Sequence, residues 1–242
     1  MITLRAACDR GRADFGWLRS AHTFSFGEYY DPHYTGFSVL RVINDDRVAP
    51  GTGFSTHGHR NMEIISYVLE GQIAHKDSTG QEAILPAGEF QLMSAGRGIR
   101  HSEYNPSETE PLHFLQIWIE PDETATEPGY QQTSFAYKQP VQPVVTADGR
   151  DGTLKIRQDA ALNHVRLTAE TVQHPLDPER RYYLHVIRGP LLLNIDPSVA
   201  EDASHLVLEE GDGVAVDCET QLTLMAEHQA EALLFDLPGA VR

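Results

Sequence analysis

Two short runs hold the residues best suited to chemistry: Thr56-His57-Gly58-His59 and Arg100-His101-Ser102-Glu103. Each sets two potential metal ligands at i and i+2. Side chains of a β-strand alternate between faces with period two, so each pair leaves its strand on one side. Two such strands lying together aim three imidazoles and one carboxylate at a common point. Neutral imidazole with carboxylate suits Fe(II), Cu, Ni, Mn, Co or Zn better than Mg or Ca. Four protein ligands leave one or two positions for water, substrate or dioxygen, the pattern of a catalytic site and not of a closed structural one. With twelve histidines in the chain, chance HxH pairs are the bland alternative, and a single histidine is more often a surface or core residue. Two close pairs beside glycine-rich turns favour the metal.

A second carboxylate competes for the fourth position. Glu63 lies four residues after His59 and shares its parity if that strand is unbroken. Glu103 is favoured, because a two-residue spacing from His101 tolerates less distortion. Glu63 then reads as a supporting carboxylate or a surface charge. His113 opens a strongly apolar run and reads as structural, while His75, beside Lys76 and Asp77, reads as a solvated turn residue. Gly96-Arg97-Gly98 lets the backbone turn tightly before His101, with Arg97 in a surface ion pair. Phe24, Phe26, Tyr29 and Tyr30 either pack in the core or wall a pocket for a planar substrate. Other catalytic templates are missing: the sequence has no GxSxG elbow, no P-loop and no GxGxxG after a strand.

The elements that must position these residues are strands. Helical periodicity is scarce, and short β-type runs bounded by Gly, Pro, Asp or Asn recur. A first set comprises Phe37 to Ile43, Glu63 to Leu69, Gly71 to Lys76, Phe90 to Met93 and Leu112 to Ile119. A second comprises Leu162 to Leu167, Tyr182 to Ile187, Leu191 to Ile195, His205 to Leu208, Gly213 to Val216, Leu222 to Met225 and Ala232 to Asp236. Many short strands at this spacing predict sandwiches or closed barrels. Pro121 to Asp151 is rich in Pro, Gln, Thr, Asp and Gly and reads as a linker with one short helical turn. It splits the chain into residues 1–135, carrying the ligands, and 136–242. The halves look alike: Leu85-Pro86-Ala87-Gly88-Glu89 in one answers Leu208-Glu209-Glu210-Gly211-Asp212 in the other. Two copies of such a unit suggest a duplicated barrel, with metal-type residues in the first alone.

Composition narrows the partners. The 242 residues are 40% hydrophobic, enough for two cores, and carry a net charge of −16. So acidic a surface repels phosphate backbones, and no run of Lys or Arg offsets it, so nucleic acid is not expected as a direct partner. Nothing approaches about 18 uninterrupted apolar residues, and the first ten lack the apolar core of a signal peptide. Cys8 and Cys218 form no CxxC, so a reduced compartment, the cytoplasm, is expected.

At the ligand runs the chain resembles the cupins. Their first motif, G-x5-H-x-H-x3,4-E-x6-G, is matched by Gly51, His57, His59 and Glu63, with Gly71 one position late. Their second, P-x-G-x2-H-x3-N, is matched by Gly98, His101 and Asn105, with Gly96 in place of the proline. The finer pattern resembles the pirin-like branch, carried by His22-Thr23-Phe24-Ser25-Phe26-Gly27 with Tyr30-Asp31-Pro32, by His57-Gly58-His59-Arg60 through Tyr67-Val68-Leu69-Glu70-Gly71, and by Ala95 through Glu103. The resemblance implies an all-β bicupin of two antiparallel, jelly-roll type β-barrels, the C-terminal one a degenerate cupin without ligands. It implies one metal, iron(II) for preference, on His57, His59, His101 and Glu103. Bacterial members resemble quercetin 2,3-dioxygenases, which open the central ring of a flavonol with O2 and release carbon monoxide. By that analogy Glu103 is also the catalytic base for the flavonol's 3-hydroxyl. The eukaryotic branch implies a different role, a metal-bound regulator that acts through a protein partner. Fold alone does not choose between them.

Overall fold

The computed structural model describes residues 1–194 and 205–239. Among the described residues twenty strands follow one another: β1 (Ile2–Arg5), β2 (Gly11–Asp14), β3 (Leu18–His22), β4 (Leu40–Val48), β5 (Gly53–His59), β6 (Glu63–Glu70), β7 (Gln72–Asp77), β8 (Glu82–Pro86), β9 (Phe90–Ser94), β10 (Ile99–Tyr104), β11 (Leu112–Ile119), β12 (Gly129–Thr133), β13 (Val141–Thr146), β14 (Leu154–Lys155), β15 (Ala161–Pro175), β16 (Arg181–Arg188), β17 (Leu191–Asn194), β18 (His205–Leu208), β19 (Gly213–Asp217) and β20 (Gln221–Leu237). Helix is confined, among these residues, to two 3-10 turns, Ala7–Asp9 and Arg150–Gly152. No helix of the described residues is long and apolar enough to cross a membrane. Both cysteines are free and exposed.

The strands divide into two compact units, one of Arg10–Phe135 and Thr146–Asp159, the other of Met1–Asp9, Ala136–Val145 and Ala160–Arg242. The first unit has a seven-stranded antiparallel sheet, β12-β9-β6-β11-β4-β3-β2, and a four-stranded one, β5-β10-β7-β8. The run Leu112–Ile119 is apolar at nearly every position because β11 lies between β6 and β4 with both faces covered. Its core holds Val48, Val68, Ile73, Leu85, Leu112 and Phe114, with a satellite of Ile64, Met93, Ala95 and Ile99.

The second unit orders its strands β1-β19-β16-β20-β15-β13, with β17 against both β20 and β18, all antiparallel. The first nine residues of the chain complete this sheet, Ile2 pairing with Val216. The interior is a continuous apolar cluster that includes Val165, Leu167, Leu184, Leu193, Leu224 and Leu234.

Several strands depart from the sequence reading, for identifiable reasons. β4 does not stop at Ile43. It runs on through Asn44-Asp45-Asp46, a turn-like composition that stays extended because β11 and β3 pair with it on either side. Leu222 to Met225 and Ala232 to Asp236 are two ends of one strand, β20, whose polar middle is carried by pairing to β15. The expected linker from Pro121 to Asp151 contains β12, paired to β9, and β13, paired to β15. Polar Gln131 and Gln132 are held there by ladder partners and not by apolar burial. Ile195, at the end of one expected strand, lies outside the described residues.

Candidate metal centre

The four-stranded sheet brings the two ligand runs together. β5 and β10 pair antiparallel with His57 opposite His101 and His59 opposite Ile99. Along β10 burial alternates, Arg100 and Tyr104 outward, His101 and Glu103 inward. A bulge between His101 and Glu103 shifts the register so that Glu103 faces Phe54, re-aiming the carboxylate as bulges do. Gly53 permits this approach: a Cβ there would strike the Glu103 carbonyl oxygen and come within 2.5 Å of Tyr104 Cα. Gly96, standing where the cupin motif has proline, has φ of +50°, and a Cβ on it would strike the Thr126 backbone. Asn105, from the same motif, donates to Glu110 O at 2.8 Å and accepts from Ser107 N at 3.0 Å, pinning the loop after β10.

His57, His59 and His101 offer ligand atoms within 4.8 Å of one another. The ring centroids lie 4.5 to 4.9 Å apart, and His57 Nε2 is 3.0 Å from His101 Nε2. Glu103 groups instead with His101 and with His75, again within 4.8 Å. His75 is therefore no solvated turn residue. It is 2% exposed on β7, opposite Glu103 in register. Lys76 and Asp77 gave the run the look of a turn, but strand parity sends Lys76 out and keeps both His75 and Asp77 in. Glu63 follows a different course. Asn61 has φ of +49°, the strand breaks after His59, and Glu63 opens β6 in the other sheet, accepting from Ser94 Oγ at 2.8 Å and Arg157 N at 3.3 Å.

Electrostatics favour ligand-competent side chains. Burial, helped by the neighbouring imidazoles, pulls His101 down to about 3 and His59 to about 4, so both rings are neutral at pH 7. Burial pushes the Glu103 carboxyl up to about 7, against a hydrogen bond from Gln116 and with the Asp46 charge adding to the rise. Gln116 Nε2 donates to Glu103 Oε2 at 2.9 Å while Trp118 Nε1 donates to Gln116 Oε1 at 3.2 Å. The indole N–H can only donate, which fixes the amide's orientation toward the carboxylate. His59 Nε2, His75 Nδ1, His101 Nδ1 and Glu103 Oε1 are buried with no hydrogen-bond partner. An orphaned buried polar atom costs about 1–3 kcal/mol. Imidazole nitrogens and a carboxylate oxygen left in that state are a donor set that fits a divalent transition metal.

The interior of this unit is unusually polar beside the cluster. His22, Asn44, Gln116, Ser66 and Gln91 stand opposite one another in register across β3, β4, β11, β6 and β9. All five are buried. Next to them a cavity of about 760 Å³ is lined by Phe26, Tyr29, Phe54, Asn44, Asp46 and Gln116, among others. Gln116 thus touches both the cavity and Glu103. Asp46, buried near the like-charged Asp45, is pushed up to about 7, burial being the larger cause. This polar row went unseen in the sequence because Asn44 and Asp46 look like turn residues and Gln116 sits alone in an apolar run. The aromatic N-terminal segment divides: Phe26 and Tyr29 line the cavity, Phe24 is buried, and Tyr30 is 72% exposed. Phe26 meets Trp118 edge-on at 5.4 Å, and Trp118 meets His59 at 5.0 Å, an aromatic link from cavity to cluster. His113 is structural, its Nε2 2.7 Å from Asp45 Oδ1 and its Nδ1 3.1 Å from Arg47. Arg97 pairs with Glu127 on the exposed surface.

Comparison with known proteins agrees with this geometry. Residues 4–119 match the Pirin family model, and residues 143–237 match that of the quercetinase C-terminal cupin domain. Proteins named quercetin 2,3-dioxygenase from Escherichia coli O157:H7 and K12 are each 49% identical, covering 98% of this chain and 99% of their own length. The crystal structure of YhhW from Escherichia coli superposes with a TM-score of 0.93 at 48% identity, covering all of both chains. A second structure, of bacterial pirin YhhW in complex with nickel(II), gives 0.92 at 48% identity, over 99% of this chain and 100% of that one. The expected all-β bicupin is the fold observed, and the chain belongs to the pirin family of the cupins.

Proposed function

We propose that this protein is a metal-dependent dioxygenase that opens the central ring of a flavonol such as quercetin with O2 and releases carbon monoxide. The observation that carries the reading is an imidazole cluster and a buried carboxylate linked, through the Gln116–Glu103 hydrogen bond, to an aromatic-walled cavity of about 760 Å³ that Gln116 lines. That volume lies within the roughly 300–1,000 Å³ range of small-molecule sites. The relatives named as quercetin 2,3-dioxygenases along their full length support it.

His57, His59 and His101 would hold the metal from β5 and β10, with Glu103 completing the set from the buried side. A divalent transition metal supplies Lewis acidity and an electron-transfer route between substrate and O2. Iron(II) is our first choice. Nickel, bound by the YhhW structure, is the nearest rival, and Cu, Mn, Co and Zn suit the same donors. Glu103, its carboxyl raised to about 7, is matched to accept a phenolic proton near neutral pH. Gln116 holds that carboxylate in place, and Phe26, Tyr29 and Phe54 offer flat apolar surface to the rings of the substrate.

The test is loss of quercetin's visible absorbance, followed with O2 uptake and CO release, in protein of measured metal content. Turnover should require the metal and should collapse in His101→Ala. Fully metallated protein that leaves quercetin intact would remove the dioxygenase reading while leaving the metal centre standing. Undiminished turnover in His101→Ala would place the chemistry elsewhere.

A further inference from the structure

We propose that His75 is a metal ligand and that, with His101 and Glu103, it forms a second, inner position for the divalent ion. This rests on the metal-binding reading of the cluster and not on the flavonol. β10 is the middle strand of three, with β5 on one side and β7 on the other. The outer group, His57, His59 and His101, spans β5 and β10. The inner group spans β10 and β7, its three ligand atoms within 4.8 Å of one another.

The inner group has what a ligand set needs. His75, His101 and Glu103 are 2%, 1% and 2% exposed, and each carries a buried ligand-type atom without a hydrogen-bond partner: His75 Nδ1, His101 Nδ1 and Glu103 Oε1. His75 is also set up from behind. Its Nε2 lies 3.0 Å from Asp77 Oδ2. The other oxygen of Asp77 accepts from Thr79 N at 2.8 Å, Thr79 Oγ1 at 2.6 Å and Gln81 N at 3.3 Å. A carboxylate held in this way only accepts, so the His75 proton sits on Nε2 and Nδ1 keeps its lone pair. A carboxylate bracing the far nitrogen of an imidazole is the usual support of a metal-bound histidine. Asp77 is accordingly a positioning residue, and His75 the ligand it orients. Both groups draw on His101, whose neutral ring has one lone pair to give, so the chain holds one ion at a time.

The test uses Ni(II) and Co(II) on the full chain, with metal content measured after equilibrium dialysis and folding checked by circular dichroism. The wild type should bind one Ni(II). The double variant His57→Ala/His59→Ala, stripped of the outer histidines, should still bind one ion, more weakly. Adding His75→Ala to it should abolish binding. In the same double variant, His75→Gln should shift the visible absorption of bound Co(II), and Asp77→Asn should weaken Ni(II) binding about tenfold. A folded double variant that holds no Ni(II), or one indifferent to His75→Ala, overturns the inner position. If the double variant does not fold, His57→Gln/His59→Gln takes its place, and an unchanged Co(II) spectrum on adding His75→Gln to it overturns the position instead. A wild type that binds neither ion fails the metal reading as a whole, a separate result.

Discussion

Metal capture by the metal-free chain should carry the proton of one side chain. Burial raises the Glu103 carboxyl to about 7, while His59 and His101, at about 4 and 3, are already neutral ligands above pH 5. Below pH 7 an incoming ion must displace a proton from Glu103, and above it the carboxylate is already free. For a group titrating near 7, the ionised fraction is roughly one eleventh at pH 6 and ten elevenths at pH 8. The Glu103 contribution to affinity is therefore about tenfold over that interval, or about 1.4 kcal/mol. The same shift has a sign for stability. A carboxyl raised on folding stabilises the protonated chain, fully below its unfolded value of 4.5 and less and less as pH rises through about 7. Relative to Glu103→Gln, the metal-free wild type should thus lose stability between pH 5.5 and pH 7, while the lowered His59 and His101 gain it equally in both proteins. Calorimetric titration with Ni(II) in two buffers of different ionisation enthalpy counts the protons released. At pH 6 the wild type should release about one more than Glu103→Gln. Equal counts from the two proteins would refute the argument that Glu103 is both buried and a ligand.

Three further substitutions separate the units and the site. Leu234→Ala removes a fully buried side chain from the second unit's core and should cost about 2–5 kcal/mol in denaturant unfolding, with metal content unchanged. Gly53→Val puts a branched side chain against the Glu103 and Tyr104 backbone, and metal content should fall even in protein that remains folded by circular dichroism. Arg97→Ala deletes one half of an exposed pair with Glu127, and its effect on stability should stay within about 0.5 kcal/mol.

The sequence exposed those parts of the fold whose physics is local. Leu112–Ile119 is apolar along its length and is a central strand; His57/His59 and His101/Glu103 follow strand parity and meet across one ladder. What it concealed depends on partners far away in the chain. Asn44-Asp45-Asp46 breaks an apolar pattern, yet β3 and β11 hold it extended. His75 carries the same lesson. Beside Lys76 and Asp77 it looks solvated, and only the pairing of β7 with β10 turns it toward Glu103. Parity applied to Gln72–Asp77 would have found it, since Ile73 already marks the buried face. The bulge between His101 and Glu103 has no sequence signal comparable to these. Its nearest trace is Gly53, across the ladder, where a side chain cannot fit.

The two units together argue for where chemistry can occur. Both are built of antiparallel strands, yet their interiors differ in kind. The second is filled by Val165, Leu184, Leu193, Leu224, Leu234 and their neighbours, side chains that gain about 1.5–3 kcal/mol each from burial and need nothing else. The first buries His22, Asn44, Asp46, Gln91, His101 and Glu103, each with a polar atom that finds no partner in the protein. At about 1–3 kcal/mol apiece, such atoms make that interior poor as a core and cheap to convert into an apolar one. An interior built against its own stability makes sense where something other than protein satisfies it. The histidines and Glu103 are suited to a metal ion, while Asn44 and Asp46 face a cavity with room for an organic molecule. The second unit's interior, among the described residues, is mainly aliphatic.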